Sequence, residues 1–374
     1  MKILLLSAYD AQSHCYWRTQ LVAHFPEHDW TVLTLPPRYF SWRVRGNSLS
    51  WAYGERACLE QNYDLVVATS MCDVTGLKGL VPNLARLPWL VYFHENQFAY
   101  PRSGREFASV EPQLLNLYNA LAADTLLFNS DFNRQSLLEG AATLCRRLPD
   151  HVPADVIALI EQKAQVLPVP LADELFVDSS ARALSDTPNN APLKLLWNHR
   201  WEFDKGPELL LAALQQLDSL CRQQGLAFGF ELHIVGQQFR QTPEAFAQIK
   251  QQFAPYIASW GYVEDGQAYR KVVQQADVVL STALHDYQGI AVLEAVAAGA
   301  MPLVPDRLAY PELFDQQFRY RSGEGESHAL AAALLDLYQR SMVGEPLPQV
   351  DVNGLRWSNL RECYQRALEG KPLG

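Results

Sequence analysis

A doubly wound α/β architecture, occurring twice along the chain, is the fold class this sequence predicts. Three observations carry it. The chain has 374 residues, beyond the size at which one hydrophobic core keeps growing. Short, continuous apolar runs alternate with longer helical patterns, as strands buried on both faces of a parallel sheet require. The alternation breaks once and then restarts. Composition, at 48% hydrophobic and 19% charged, is that of an ordinary globular protein. No apolar run approaches the ~20 residues that span a bilayer, so no stable membrane insertion is expected.

In chain order, the strands expected in the first half are "KILLLS" (2–7), "WTVLTL" (30–35), "DLVVAT" (64–69), "WLVYFH" (89–94), "TLLFNS" (125–130) and "AQVLPV" (164–169). The opening "MKILLLSAYD" has too short an apolar part, too soon followed by Asp10, to read as a signal peptide. The stretch 172–192 is rich in Ser, Asp, Asn and Pro and lacks periodicity, so it reads as a connection. Strands resume with "LKLLWNHR" (193–200), "GFELHIVG" (229–236), "ADVVLST" (276–282) and "AMPLVP" (300–305). The expected organisation is thus a first domain over 1–172, a linker over 173–192 and a second domain over 193–350. The tail 351–374 is an amphipathic helical segment able to pack across either half, including a return to the first. Two Rossmann-like halves joined this way are expected to face a central cleft at the carboxyl ends of both sheets, where α/β folds bind ligands. The six cysteines are scattered without a CxxC pair. They read as free, mostly buried thiols of a cytoplasmic protein rather than disulfides or a zinc site.

The loop leaving the first strand, "AYDAQSHCYW", lacks the GxGxxG glycines that let a dinucleotide pyrophosphate approach. A nicotinamide or flavin dehydrogenase is therefore disfavoured. Ser13 and His14 are expected in that loop, facing the cleft. "WLVYFHENQ" sets His94, Glu95 and Asn96 at the carboxyl end of a strand. Polar groups there are tolerated if they face a cavity, and a loop-ordering role is the alternative. Asn129 and Ser130 repeat the arrangement, with a helix N-cap as an equal reading.

"NHRWEFDKGPELLL" brings Arg200 and Lys205 to a strand-to-helix junction. Two cations there can clamp a diphosphate, helped by the positive end of the helix dipole; ordinary surface charges are the alternative. In "STALHDYQGIAVLEAV", amides from Gly289 through Ile290 to Ala291 open a helix that carries Glu294 one turn in, and Asp286 precedes Glu294 by eight positions. The amides suit an anion, Glu294 a ribose diol and Asp286 sugar hydroxyls. Acids flanking a helix start also simply favour the macrodipole. A further stretch, "PPRYFSWRVRGN", mixes Arg38, Arg43 and Arg45 with Tyr39, Phe40 and Trp42, within a window free of acids from Trp30 to Gly54. In a chain of net charge −10 this reads as a basic lip. Arginines there would meet phosphates, and aromatics would stack on unpaired bases of an RNA loop; a solvated loop is the bland alternative.

The two segments after residue 193 resemble the retaining GT-B glycosyltransferases, a group marked by an E-x7-E motif, an Arg and Lys pair on the donor diphosphate, and a His in the N-terminal half. Here the pattern stands as Asp286-x7-Glu294 with Arg200, Lys205 and His94; its first acid is Asp rather than Glu. The blocks "SHCYWRTQL", "TLPPRYFSWRVR", "YFHENQFAYP", "FNSDFN", "LPDH", "NHRWEFDKGPE", "WGYV", "ADVVLSTALHDYQGIAVLEAV" and "YPELF" keep an order similar to the tRNA-queuosine α-mannosyltransferase family. Ala11 and Gln12 depart from the glycine pair of the family's eukaryotic members. The resemblance implies a GT-B fold and transfer of mannose from GDP-mannose, with retention, to queuosine in the anticodon loop of tRNA for aspartate. No cofactor beyond the nucleotide-sugar substrate is implied. His94, His14 and Asp286 would be catalytic, and Arg200, Lys205, Gly289, Ile290, Ala291 and Glu294 would bind the donor. Ser13, Arg38, Trp42, Arg43, Arg45, Glu95 and Asn96 would meet the tRNA. Rival readings are a GT-B enzyme using another nucleotide-sugar on a lipid or polysaccharide, an inactive RNA-binding relic of that fold, and a nucleotide-sugar epimerase.

Overall fold

The computed structural model describes residues 1–100, 109–147, 151–153, 155–176 and 191–373. Most of the expected linker, residues 177–190, and residues 148–150 of the "LPDH" block lie outside them. The chain divides into two compact units: Met1–Pro170 with Trp357–Gly374, and Leu171–Arg356. Each holds one six-stranded sheet, parallel throughout.

In the first unit the strands are β1 (Lys2–Ser7), β2 (Asp29–Thr34), β3 (Leu65–Thr69), β4 (Trp89–Phe93), β5 (Thr125–Phe128) and β6 (Ala164–Val166), in the order β2-β1-β3-β4-β5-β6. In the second they are β7 (Leu193–Trp197), β8 (Phe230–Val235), β9 (Ile257–Gly261), β10 (Val278–Leu280), β11 (Met301–Pro305) and β12 (Arg319–Tyr320), in the order β12-β11-β10-β7-β8-β9. β3, β4 and β11 are buried at every position, because helices cover both faces of a parallel sheet and leave no polar alternation to read. All ten expected strands are present, seven of them shorter at the carboxyl end than expected. β4 stops at Phe93, leaving His94 beyond it, and β6 stops before Pro168. β9 and β12 were not expected. They are edge strands, one half-buried and one of two residues, so neither presents a long apolar run.

Two further expectations are corrected. Ser13 and His14 lie in the first turn of the helix Gln12–His24, not in a loop. The arginine-rich stretch is mostly helical, over Phe40–Gly54. Its buried face is Arg43, Val44, Asn47, Ser48 and Trp51, a spacing of three and four that sets a helix against a core. Of the six cysteines only Cys72 and Cys221 are buried; the other four are half-buried, because they fall at the margins of helix faces. Among the described residues no helix is long and apolar enough to cross a membrane.

Candidate active site

Ligands of open parallel sheets bind beyond the carboxyl ends of the two strands at which strand order reverses. In the second unit that reversal falls between β7 and β10. The segments leaving these strands, 198–206 and 281–289, hold Arg200, Lys205, Asp286 and Gly289, and Ile290, Ala291 and Glu294 follow on the next helix. They are laced together. Thr282 Oγ1 donates to the Lys205 carbonyl at 2.8 Å and accepts from Trp197 Nε1 at 2.9 Å, while the amides of Leu284 and His285 donate to the Asp204 carbonyl. Gly206 permits this approach. Its φ is 65°, and a Cβ there would lie 2.1 Å from the Thr282 carbonyl oxygen, so no other residue fits without moving the backbone.

On this frame Lys205 is buried, and its Nζ donates to the His285 carbonyl at 2.6 Å. The same Nζ stands 3.4 Å from Asp286 Oδ2 and 3.5 Å from Asp204 Oδ2. Arg200 is 43% exposed and pairs with Glu202 at 2.5 Å and, more loosely, with Asp204 at 3.5 Å. Both cations are therefore already matched by carboxylates, which keeps them oriented. Burial pushes the Asp286 carboxyl up, but Lys205, His199 and the Gly289 amide outweigh it and hold the group below its usual range. His199 and His285, both buried, are pushed down to about 4, first by burial and then by the charge of Lys205. Both are neutral imidazoles at physiological pH.

The helix Ile290–Ala297 begins after Gly289, whose φ is 72°. The Gly289 amide is spent on Asp286 Oδ1 at 2.9 Å. That corrects its expected role in anion binding and leaves the first-turn amides, Ile290 and Ala291, without an intrahelical partner. Glu294 is half-buried one turn in, and burial raises its carboxyl to about 7, against the hydrogen bond from Tyr269. Arg200, Lys205, Asp286, Ile290, Ala291 and Glu294 are thus brought to one sheet edge. Four neighbours, Asn198, His199, Tyr269 and His285, are not singled out by the sequence. His199 sits inside the quoted "NHRWEFDKG" block, where its place at a strand's end was the available signal. Tyr269 gave none, because its partners are distant in sequence.

In the first unit the reversal lies between β1 and β3, and β4 is the next strand on. His14 and His94 meet here with ring centroids 4.3 Å apart. His14 Nδ1 lies 2.7 Å from the Tyr9 carbonyl. A carbonyl only accepts, so Nδ1 carries a proton, and the neutral form of this ring accepts at Nε2. His94 is packed against Trp17 and Tyr92, and its ring nitrogens have no partner among the described residues. Burial, and then His14, depress its pKa well below the usual value. An asparagine network fixes the turn: Asn129 donates to the His94 carbonyl at 2.9 Å and Asn133 to that of Phe93 at 2.8 Å.

That network absorbs Asn96. It is fully buried, donating to Asn133 and Ser136 and accepting from the amides of Phe98 and Ala99, so it orders the turn instead of meeting a ligand. Arg43 is corrected likewise, being buried on the inner face of its helix. Arg45 is half-exposed and pairs with Asp73 at 3.2 Å and Glu111 at 2.5 Å. Ser13, Arg38 and Trp42 are exposed, and Glu95 is half-buried.

Residues 2–171 match the family model for the N-terminal part of tRNA-queuosine alpha-mannosyltransferase, and residues 194–340 match glycosyl transferases group 1. A Drosophila melanogaster protein named tRNA-queuosine alpha-mannosyltransferase is 31% identical over 323 residues, covering 86% of this chain and 83% of that protein. Among solved structures, sucrose-phosphate synthase from Thermosynechococcus elongatus aligns with a TM-score of 0.70 at 14% identity, covering 99% of this chain and all of that one. A structure described as trehalose-6-phosphate from E. coli bound with UDP-2-fluoro glucose aligns at 0.62 and 13% identity, with 99% of each chain covered. At such identities these likenesses speak to the fold, which is GT-B. The identity with the Drosophila protein reaches further: the chain belongs to the tRNA-queuosine alpha-mannosyltransferase family and is a glycosyltransferase.

Proposed function

We propose that this enzyme moves mannose from GDP-mannose, with retention at the anomeric carbon, to queuosine at the wobble position of tRNA for aspartate. The observation that carries the reading is the 31% identity to the Drosophila protein across 86% of the chain. The cluster at the β7–β10 reversal supports the donor half of it. Arg200, Lys205 and the amides of Ile290 and Ala291 receive the diphosphate, and Glu294 accepts from the ribose diol. Arg200 exchanges Glu202 for the diphosphate easily, since a half-exposed ion pair is worth only about 0–1 kcal/mol. Stabilising the departing anion with preset charges is commonly the largest catalytic contribution. These charges and amides belong to the chain itself, with no metal or cofactor invoked.

In the step itself the bond from the anomeric carbon to the phosphate oxygen breaks. A bond to a cyclopentenediol oxygen forms on the same face, and the acceptor proton passes to the leaving diphosphate. Asp286 suits a sugar hydroxyl, and so, in the first unit, does the His94 ring. A buried donor or acceptor left unpaired costs about 1–3 kcal/mol, which a hydroxyl at the His94 ring relieves. His14, with Nε2 as an open acceptor, suits the acceptor hydroxyl. Ser13, Glu95, Arg38 and Trp42 belong to the tRNA side, and the enzyme works with its tRNA in the cytoplasm.

The test incubates the protein with GDP-mannose and RNA from cells with and without queuosine, followed by nucleoside mass analysis. A hexose increment on queuosine, only in the first sample, is expected. Absence of any glycosylated nucleoside from both samples overturns the acceptor assignment.

A further inference from the structure

Glu294 is aimed by a hydrogen-bonded chain that begins at the end of β7. The helix Gly266–Gln275 is pinned at its start by Asp265, whose carboxylate accepts from the amides of Gln267 and Ala268 at 3.1 and 3.2 Å. This sets Tyr269 in the first turn, turned toward Asn198 and Glu294. Asn198 Nδ2 donates to the Ala291 carbonyl at 2.8 Å and to the Tyr269 hydroxyl oxygen at 3.1 Å. An amide nitrogen can only donate, so the tyrosine's own proton is left for Glu294 Oε2, 3.4 Å away. The direction of every link is thereby fixed. Asn198 is buried, and its Oδ1 has no partner among the described residues, an open acceptor in the same cluster as the carboxyl. One side chain thus ties down both the first turn of Ile290–Ala297 and the tyrosine that points at Glu294.

We propose that Tyr269 is a positioning residue for donor binding, holding the Glu294 carboxylate toward the donor's ribose diol under the direction of Asn198. This rests on the reading that Glu294 binds the donor. The long contact to Glu294 is of the kind that tightens when ligand completes a site.

The experiment measures KM for GDP-mannose and kcat for wild type, Tyr269→Phe, Glu294→Gln and the double variant, with queuosine-containing tRNA as acceptor. Tyr269→Phe alone should raise the donor KM about tenfold, as loss of a hydrogen bond to a charged group does, with kcat within about twofold. In the Glu294→Gln background the same change should add less than about twofold. A merely structural tyrosine would not split KM from kcat and would lose activity equally in both backgrounds. If Glu294→Gln raises KM but Tyr269→Phe does not, or if the two losses multiply, the positioning role is overturned and the donor reading stands. If Glu294→Gln leaves KM unchanged, the donor reading falls and this proposal with it. Should Tyr269→Phe fail to fold, Asn198→Asp reads the same link. It also frees the Ala291 carbonyl, so it is read in both backgrounds: a rise in donor KM that vanishes with Glu294→Gln supports the chain, and no rise, or an equal rise in both, overturns it.

Discussion

Glu294 is the residue whose titration falls inside the working pH range. Its carboxyl is raised to about 7 by burial, against the hydrogen bond from Tyr269. Three neighbours in the diphosphate cluster, Asp286, His199 and His285, do not change charge between pH 6 and 8. Asp286 is held low by Lys205 against its burial, and His199 and His285 are pushed to about 4. An acceptor for a ribose diol works best ionised, so donor affinity should rise as pH rises through 7 and be lost as pH falls below it. For one group of pKa about 7 the dissociation constant at pH 6 should be about tenfold that at pH 8. Calorimetric titration of GDP-mannose across that range checks it, with Glu294→Gln expected to flatten the dependence. A wild-type profile already flat would show that Glu294 does not accept from the donor.

At the scale of elements, the helix Phe40–Gly54 shows what a sequence conveys and what it withholds. Its arginines and aromatics were legible as an unusual cluster, and alternating apolar runs made the sheets legible because buried parallel strands have no other composition. Which arginines face outward was not legible. Asn47 accepts from the Asp73 amide and donates to the Met71 carbonyl, and Ser48 donates to Asp73. These contacts to the turn after β3 rotate Arg43 inward. Tyr39, at φ 53°, opens the helix with its ring 74% exposed, and Trp42 is 54% exposed. Partners far apart in the chain hid Tyr269 in the same way, since Asn198 lies 71 positions before it. Of this stretch, Arg38, Tyr39 and Trp42 stay exposed and are the part proposed to join Ser13 and Glu95 on the tRNA side. Arg38→Gln should reduce the slope of log affinity for tRNA against log salt by about 0.7–1, one phosphate contact. Trp42→Ala should weaken binding by about 1–3 kcal/mol with the slope unchanged, as lost stacking does. Arg43→Gln should instead lower the melting temperature. Filter binding over a salt series, beside donor KM, checks all three; an equal loss of donor affinity would mark the helix as scaffolding.

At the scale of the whole molecule, the chain's last segment, Trp357–Gly374, is part of the first unit, whose strands end some 190 positions earlier. The second unit is closed at its own ends, where the Leu171 amide donates to the Leu355 carbonyl at 2.8 Å. The returning helix Trp357–Leu368 completes a core. Trp357 is fully buried and stacks on His24 at 4.3 Å, and the Tyr364 hydroxyl accepts from Trp17 Nε1 and donates to the Pro168 carbonyl. Trp17 in turn lies against His94, so the terminal helix supports the ring environment of a proposed catalytic histidine. Truncation to alanine of a buried Trp costs about 3–5 kcal/mol, a large fraction of a domain's stability. Trp357→Ala, and more severely a chain ending at Arg356, should therefore unfold the first unit at lower temperature while the second keeps its own transition and its affinity for GDP. Differential scanning calorimetry with and without GDP resolves the two, since a ligand raises the melting temperature only of the unit that binds it. A truncated chain whose unliganded transition matches the full-length protein would show that the returning helix adds nothing to the first core.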